Sequence, residues 1–173
     1  MKAKENKGIT LVALIVTIIV LLIIAGIAVY NGKETIQKAN LESLRTNMLL
    51  IEAKAKGLVE EANFQLGPNF KNESQENQAT KLAEVRQSIY DDENKLGNST
   101  SISGVPSGVP TGDNVYVFTS ETAALWGLDN VYGELESGEN YLIEFDEENA
   151  TVEIYNTIGY QGHYSLTEID ELQ

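Results

Sequence analysis

The sequence predicts an α+β protein: a long N-terminal α-helix, transmembrane and then amphipathic, packed on a small antiparallel β-sheet. Three observations lead there. A block of 22 residues, Ile9 to Tyr30, contains no charge. An apolar stripe at helical spacing follows it, from Leu41 to Ala62. Short β-rich runs are then confined to the part of the chain after Val115. A length of 173 residues accommodates one modest domain in addition to such a helix, not two.

The opening residues are basic, with Lys2, Lys4 and Lys7 against Glu5. The apolar block that follows would reach about 33 Å as a helix, close to the thickness of the hydrocarbon core. Its threonines, Thr10 and Thr17, can bond back to carbonyls a turn earlier and so are tolerated in lipid. Its many β-branched residues would weaken a helix in water, but a bilayer leaves the backbone no other way to satisfy its hydrogen bonds. A cleaved secretory signal has a shorter apolar stretch, about 7–15 residues, before a small-x-small site. Gly26-Ile27-Ala28 matches such a site only weakly, so the block reads as a span. The lysines ahead of it favour a cytoplasmic N-terminus and place the rest outside, with Lys33 and Lys38 tempering the bias.

Lys7-Gly8-Ile9-Thr10-Leu11-Val12, running straight into the apolar block, resembles the leader and first turn of type IV pilins and their pseudopilin relatives, most of all the Gram-positive variant. The resemblance covers roughly the first 60 residues as motif and pattern, and beyond that only the architecture. It implies a leader of residues 1–8, cut by a membrane prepilin peptidase between Gly8 and Ile9, and N-methylation of the new Ile9 terminus. Residues 9–30 would form the transmembrane and filament-core helix, 31–63 its amphipathic continuation, and 64–173 an acidic extracellular head. Thr10, Leu11, Val12 and Ala13 would lie in the assembly interface. The partners implied are the membrane, the peptidase, copies of this chain or other pilins, and the ATPase and platform proteins of the assembly machinery. The function implied is that of a structural subunit of a surface filament, or of a minor pilin or pseudopilin in a secretion or DNA-uptake system. An uncleaved, signal-anchored surface-binding protein is the reading outside the family.

The chain departs from the family pattern at Ala13, where the family has a glutamate that pairs with the N-terminal amine of a neighbouring subunit. An unpaired ammonium buried in an apolar filament core is expensive. Either the amine finds another partner, or this subunit occupies a special position such as a filament tip.

Beyond the block, Leu41, Leu44, Met48, Ile51, Ala55, Leu58 and Ala62 alternate spacings of three and four, with charged residues between them. Three heptads with two alanines make a weak coiled-coil seam, so a face packed on a sheet of the same chain is preferred. Residues 64–80 are polar, contain Gly67-Pro68 and read as a loop. Thr80 to Tyr90 reads as a short helix capped by Thr80, and Asp91 to Thr100 as turns. The near-repeat GVPSGVPTG reads as an extended, exposed loop. VYVFTS (115–120), YLIEFD (141–146) and TVEIYN (151–156) read as strands, the last two joined by a hairpin loop over 147–150, with Tyr132 and Leu135 on a further short strand. About four strands are expected. Trp126 reads as a core anchor.

Composition excludes much chemistry. There is no cysteine, and His163 is the one histidine, so thiolate chemistry and multi-histidine zinc sites are out. No catalytic residue, cofactor or metal is assigned, and the chain reads as a non-enzyme. Residues 96–173 hold 14 acidic residues and no Lys or Arg, and therefore carry the whole net charge of −14. A surface of that sign repels a nucleic acid backbone. Asp91-Asp92-Glu93 and Asp146-Glu147-Glu148 lack the spacing of a calcium loop and read as solvated turn carboxylates. Asn72, Asn98 and Asn149 begin N-x-S/T triplets, which chance accounts for.

Overall fold

The structure, a computed structural model, describes residues 6–172; within the first helix it describes side chains over 14–22 and from 35 onward. The chain divides into two compact units, Met1–Glu42 and Ser43–Gln173. The helix α1 spans Asn6–Leu66. Residues 1–5 of the expected leader 1–8 lie outside the described residues. Gly8, Ile9, Thr10, Leu11, Val12 and Ala13 have helical backbone, and their side chains lie outside the description.

In the second unit α1 buries Met48, Ile51, Ala55, Val59, Ala62 and Leu66. Met48 to Leu66 is about five turns at 3.6 residues per turn, so one straight line of side chains faces the core. Leu58, expected in this stripe, is only half-buried, and Val59 takes its place. The reason is geometric. A strict seven-residue repeat drifts about 20° per heptad on a straight helix, and a straight helix on a sheet follows the 3.6 period instead. The helix also ends at Leu66 rather than residue 63; Gly67, at φ +78°, takes the left-handed conformation that closes it, with its N–H on the Asn63 carbonyl (3.3 Å).

Five antiparallel strands follow in sequential order: β1 (Gly97–Asn98), β2 (Val115–Val117), β3 (Tyr141–Asp146), β4 (Thr151–Tyr160) and β5 (His163–Ser165). The β3–β4 hairpin stands where the alternation predicts it, and β4 runs on past Asn156 to Tyr160. Tyr116 pairs with Ile143, and Ile143 with Ile154, which puts these three on one face together with Tyr141 and Phe145. Val115 and Leu142 lie on the other face.

The first face is closed by helices. Tyr90 stacks on Phe145 with ring centroids 4.1 Å apart and meets Tyr116 edge-on at 4.9 Å. Tyr90 belongs to a π-helical stretch, Gln87–Glu93, that continues α2 (Gln75–Arg86). From α1, the Asn47 side chain lies beside Tyr141. The second face is closed by the near-repeat loop, which is therefore not the exposed segment expected. Val109 is buried against Val115 and Leu142, and Ile102, Val105 and Tyr164 pack around them. Alternating Val and Pro supply apolar contact, while Gly108 lets the loop lie on Tyr164, whose ring a Cβ there would approach to 2.9 Å.

Three further expectations are corrected. The helix α2 starts at Gln75, capped by Ser74 accepting from the Asn77 N–H, whereas the Thr80 hydroxyl bonds back to Glu76 O (2.9 Å). Part of the expected 64–80 loop is thus helical, including a 3-10 turn at Phe70–Asn72. Only Val115–Val117 of VYVFTS is strand: Thr119 accepts from the Thr122 N–H (3.1 Å) and caps α3 (Ser120–Trp126). Tyr132 then falls in α4 (Asp129–Gly133), and Leu135 lies outside the strands. Trp126 is buried as expected, its indole N–H donating to Asn94 Oδ1 (2.9 Å). The last helix, α5 (Leu166–Asp170), opens with a capping box formed by Ser165 and Glu168.

Candidate functional site

The most unusual surface in the first unit is the apolar part of α1. From Leu14 to Leu22 every side chain is exposed, on all sides of the helix, and the apolar ones are between 46% and 67% accessible. Thr17, the polar residue of this run, donates its hydroxyl to Leu14 O (3.1 Å), so no unsatisfied polar group interrupts it. Full burial of an aliphatic side chain is worth about 1.5–3 kcal/mol. Half-covering eight of them would therefore yield roughly 6–12 kcal/mol from lipid or from other protein chains. A helix apolar all round is the pattern of a fully buried or membrane helix. Among the described residues no helix is long and apolar enough to cross a membrane; the described side chains take in only 14–22 of the 9–30 block.

In the second unit, the later part of α1 is held by polar ties at several heights. Arg45 Nε contacts Asp170 Oδ1 of α5 at 2.6 Å, and Asn47 Nδ2 donates to Glu134 (3.1 Å) beyond α4. Near the helix end, Asn63 Nδ2 donates to the Glu147 carbonyl (2.7 Å) in the β3–β4 turn. These anchors reach three separate elements, so α1 is a wall of the head's core.

Two of the head's concavities meet at one ion pair. Arg86, at the end of α2, grips Glu147 with both arms: Nε to Oε1 at 2.7 Å and Nη2 to Oε2 at 3.0 Å. Glu147 is only 3% exposed, so it is not the solvated turn carboxylate expected; Asp92, Glu93 and Glu148 are exposed. The hydrogen bond that Arg86 donates to Glu147 raises the Arg86 pKa above its ordinary value, against the lowering by burial. Clefts of about 560 and 430 Å³ adjoin here and share Leu82, Arg86 and Asp113. Most carboxylates of the larger cleft are engaged internally. Glu144 accepts from the Tyr155 hydroxyl (2.9 Å), Asp146 from Asn149 (2.7 Å), and Glu153 from Thr167. Among the described residues no cluster of three or more His, Asp or Glu is placed to hold a metal ion.

Tyr90 lies beside this pair, fully buried, and its hydroxyl makes no hydrogen bond of normal geometry. Burial is the main cause of its strongly raised pKa, with the Glu147 charge second. Burial likewise pushes Tyr141 up to about 12. Asp91 is raised by burial and then by Asp92. Asn72 at the end of the 3-10 turn, Asn98 on β1 and Asn149 in the β3–β4 turn are all exposed.

The structure gathers none of these groups into a nucleophile–base pair; His163 sits half-buried on the edge strand β5. The Arg86–Glu147 pair, 61 residues apart, left no local signal in the sequence. The capping boxes and caps did: Ser165-x-x-Glu168 and Ser74 are readable as helix starts. Comparison with protein-family models, with characterised proteins and with solved structures finds no match to this chain.

Proposed function

We propose that the chain is a structural subunit of a type IV pilus-like surface filament, anchored in the membrane by residues 9–30, trimmed after Gly8 and assembled through its apolar helix. One observation carries this reading. The same α1 that exposes an all-round apolar surface from Leu14 to Leu22 becomes, from Met48 to Leu66, a buried wall of a folded α+β head. An ordinary membrane anchor needs no such continuation; a subunit that must transmit assembly of its helix to the placement of its head does. The motif Gly8-Ile9-Thr10-Leu11-Val12 supports the trimming step.

The driving force is exchange of lipid contacts for contacts with other chains, in which van der Waals packing and small residues decide helix association. Gly8 suits the cut because the peptidase requires an accessible backbone beside it. Ala13 favours the second reading, a minor subunit or pseudopilin, since it leaves the new amine of Ile9 without the family's carboxylate.

A bulky substitution at the cut site tests the proposal. Gly8→Val in the native cell is expected to leave the full-length chain in the membrane and to abolish its appearance in any sheared surface fraction. Normal surface release of the Gly8→Val chain would sink the trimming step.

A further inference from the structure

Beyond filament assembly, we infer that the smaller of the two clefts beside Arg86 binds an alkylammonium group, the chemistry shared by a lysine side chain and a free aliphatic amine. The cleft measures about 430 Å³, within the usual range of small-ligand sites, and lies between α2 and the start of β2. Its walls suit the two ends of such a group. From α2, Ala79, Leu82 and Ala83 share one helix face and supply a narrow apolar strip that methylenes can cover. Asp91, from the π-helical stretch, and Asp113, from the loop ahead of β2, border the same space. Among the described residues neither carboxylate has a cation or a hydrogen-bond donor for a partner.

Tyr116 marks the cleft as a site rather than a dent between turns. It is only 7% exposed and lines the cleft, and its hydroxyl has no hydrogen-bond partner among the described residues. Buried polar groups are ordinarily paired, so this one lacks a partner that the cleft has room to hold. Asp91, Arg86 and Asp113 all act on the ionisation of that hydroxyl, which places its oxygen among the charged groups of the cleft. Burial keeps the phenol protonated, and its oxygen is free to accept from an N–H. The Asp91 pKa is raised by burial and then by Asp92, a cost that a cation beside it would remove. An anion is disfavoured, because Arg86 has committed Nε and Nη2 to Glu147 and its charge is offset there. A metal ion fits poorly as well. Among the described residues no three His, Asp or Glu gather to hold one, and the apolar strip would have nothing to cover. The adjoining larger cleft, with Glu144, Asp146, Glu148 and Glu153 in its wall, adds a negative potential that draws cations in.

The site requires neither trimming nor polymerisation, so its test is separate from that of the filament. The full chain in detergent micelles is titrated calorimetrically with three probes: a capped Gly-Lys-Gly peptide, the same peptide with norleucine in place of lysine, and putrescine. The expected result is saturable binding of the lysine peptide, of putrescine or of both, and none of the norleucine peptide. Stronger binding of the lysine peptide assigns the site to a protein partner, and stronger binding of putrescine to a free amine. Asp91→Asn, Asp113→Asn and Tyr116→Phe should each weaken binding by about three- to ten-fold. Tyr116→Phe keeps the ring that meets Tyr90 and Phe145, so the variant retains its packing. Asp129→Asn on α4 removes the same charge from an exposed position outside the cleft and should leave binding unchanged. No saturable binding of either amine, equal binding of the norleucine peptide, or an equal loss in Asp129→Asn would overturn the site.

Discussion

Arg86 and Glu147 offer the sharpest test of how the head is held together. Glu147 is 3% exposed and its carboxylate takes both arms of the Arg86 guanidinium, at 2.7 and 3.0 Å. Its main-chain carbonyl also receives Asn63 from α1. The pair therefore joins α2, the β3–β4 turn and, through the same turn, the end of α1. Arg86→Ala would leave a buried carboxylate without its partner, a change that destabilises by about 3–5 kcal/mol. Replacing both residues by methionine removes the charge together with its need for a partner and should restore stability to within about 1 kcal/mol of the parent or better. Urea unfolding of a soluble chain lacking residues 1–30, followed by Trp126 fluorescence, measures both. The midpoint should fall for Arg86→Ala and recover in the double variant, with an unchanged slope. A loss below about 1 kcal/mol in Arg86→Ala would mean that Glu147 swings into water, and the reasoning from burial would be refuted.

Other positions give expectations of opposite sign. Tyr90→Phe deletes a buried hydroxyl that has no hydrogen bond of normal geometry and should leave stability unchanged or raise it by up to about 1 kcal/mol, read by the same unfolding curve. Gly159 has φ +64°, and a Cβ there would stand 2.3 Å from the His163 carbonyl. Gly159→Ala should therefore loosen the β4–β5 hairpin and cost more than about 2 kcal/mol. Gly57→Ala, in open space on a helix, should instead add about 0.5–1 kcal/mol. The N–H groups of Tyr164 and Ser165 depress the Glu168 pKa. A carboxyl with a depressed folded-state pKa contributes stability above its unfolded pKa, near 4.5, and loses that contribution as pH falls through the lower, folded value. Thermal unfolding between pH 6 and pH 3 should accordingly show a smaller acid loss in Glu168→Gln than in the parent.

Periodicity was legible where apolar residues recur at a fixed spacing. Tyr141, Ile143 and Phe145 alternate along β3 and the Met48–Ala62 stripe recurs along α1, so both emerge from pattern reading, although Leu142 is buried as well, on the other face of the sheet. Leu58 was misassigned because spacings of three and four fit a heptad and a straight helix equally well over a short run. Val115–Val117 carries no alternation, since helices cover one face and the 102–109 loop the other, and all three residues are buried. That same loop was misread because Gly and Pro mark an irregular backbone without saying whether it is solvated. Ser74 and Thr119 were available as caps, but polar surroundings at the first and a β-rich run at the second hid them. The candidate assembly segment was legible only as a motif, Gly8 to Ala13, and the ion pair at Arg86 depends on a contact between distant residues that no local pattern encodes.

In the proposed filament subunit Ile9, not Met1, begins the mature chain, and its helix then enters a polymer. Intact mass and N-terminal sequencing of the protein isolated from its native cells test this most directly. The expected result is a chain beginning at Ile9, methylated or not, recovered in a sheared surface fraction. A chain beginning at Met1 and confined to the membrane would contradict it, leaving an uncleaved anchor with an acidic α+β head.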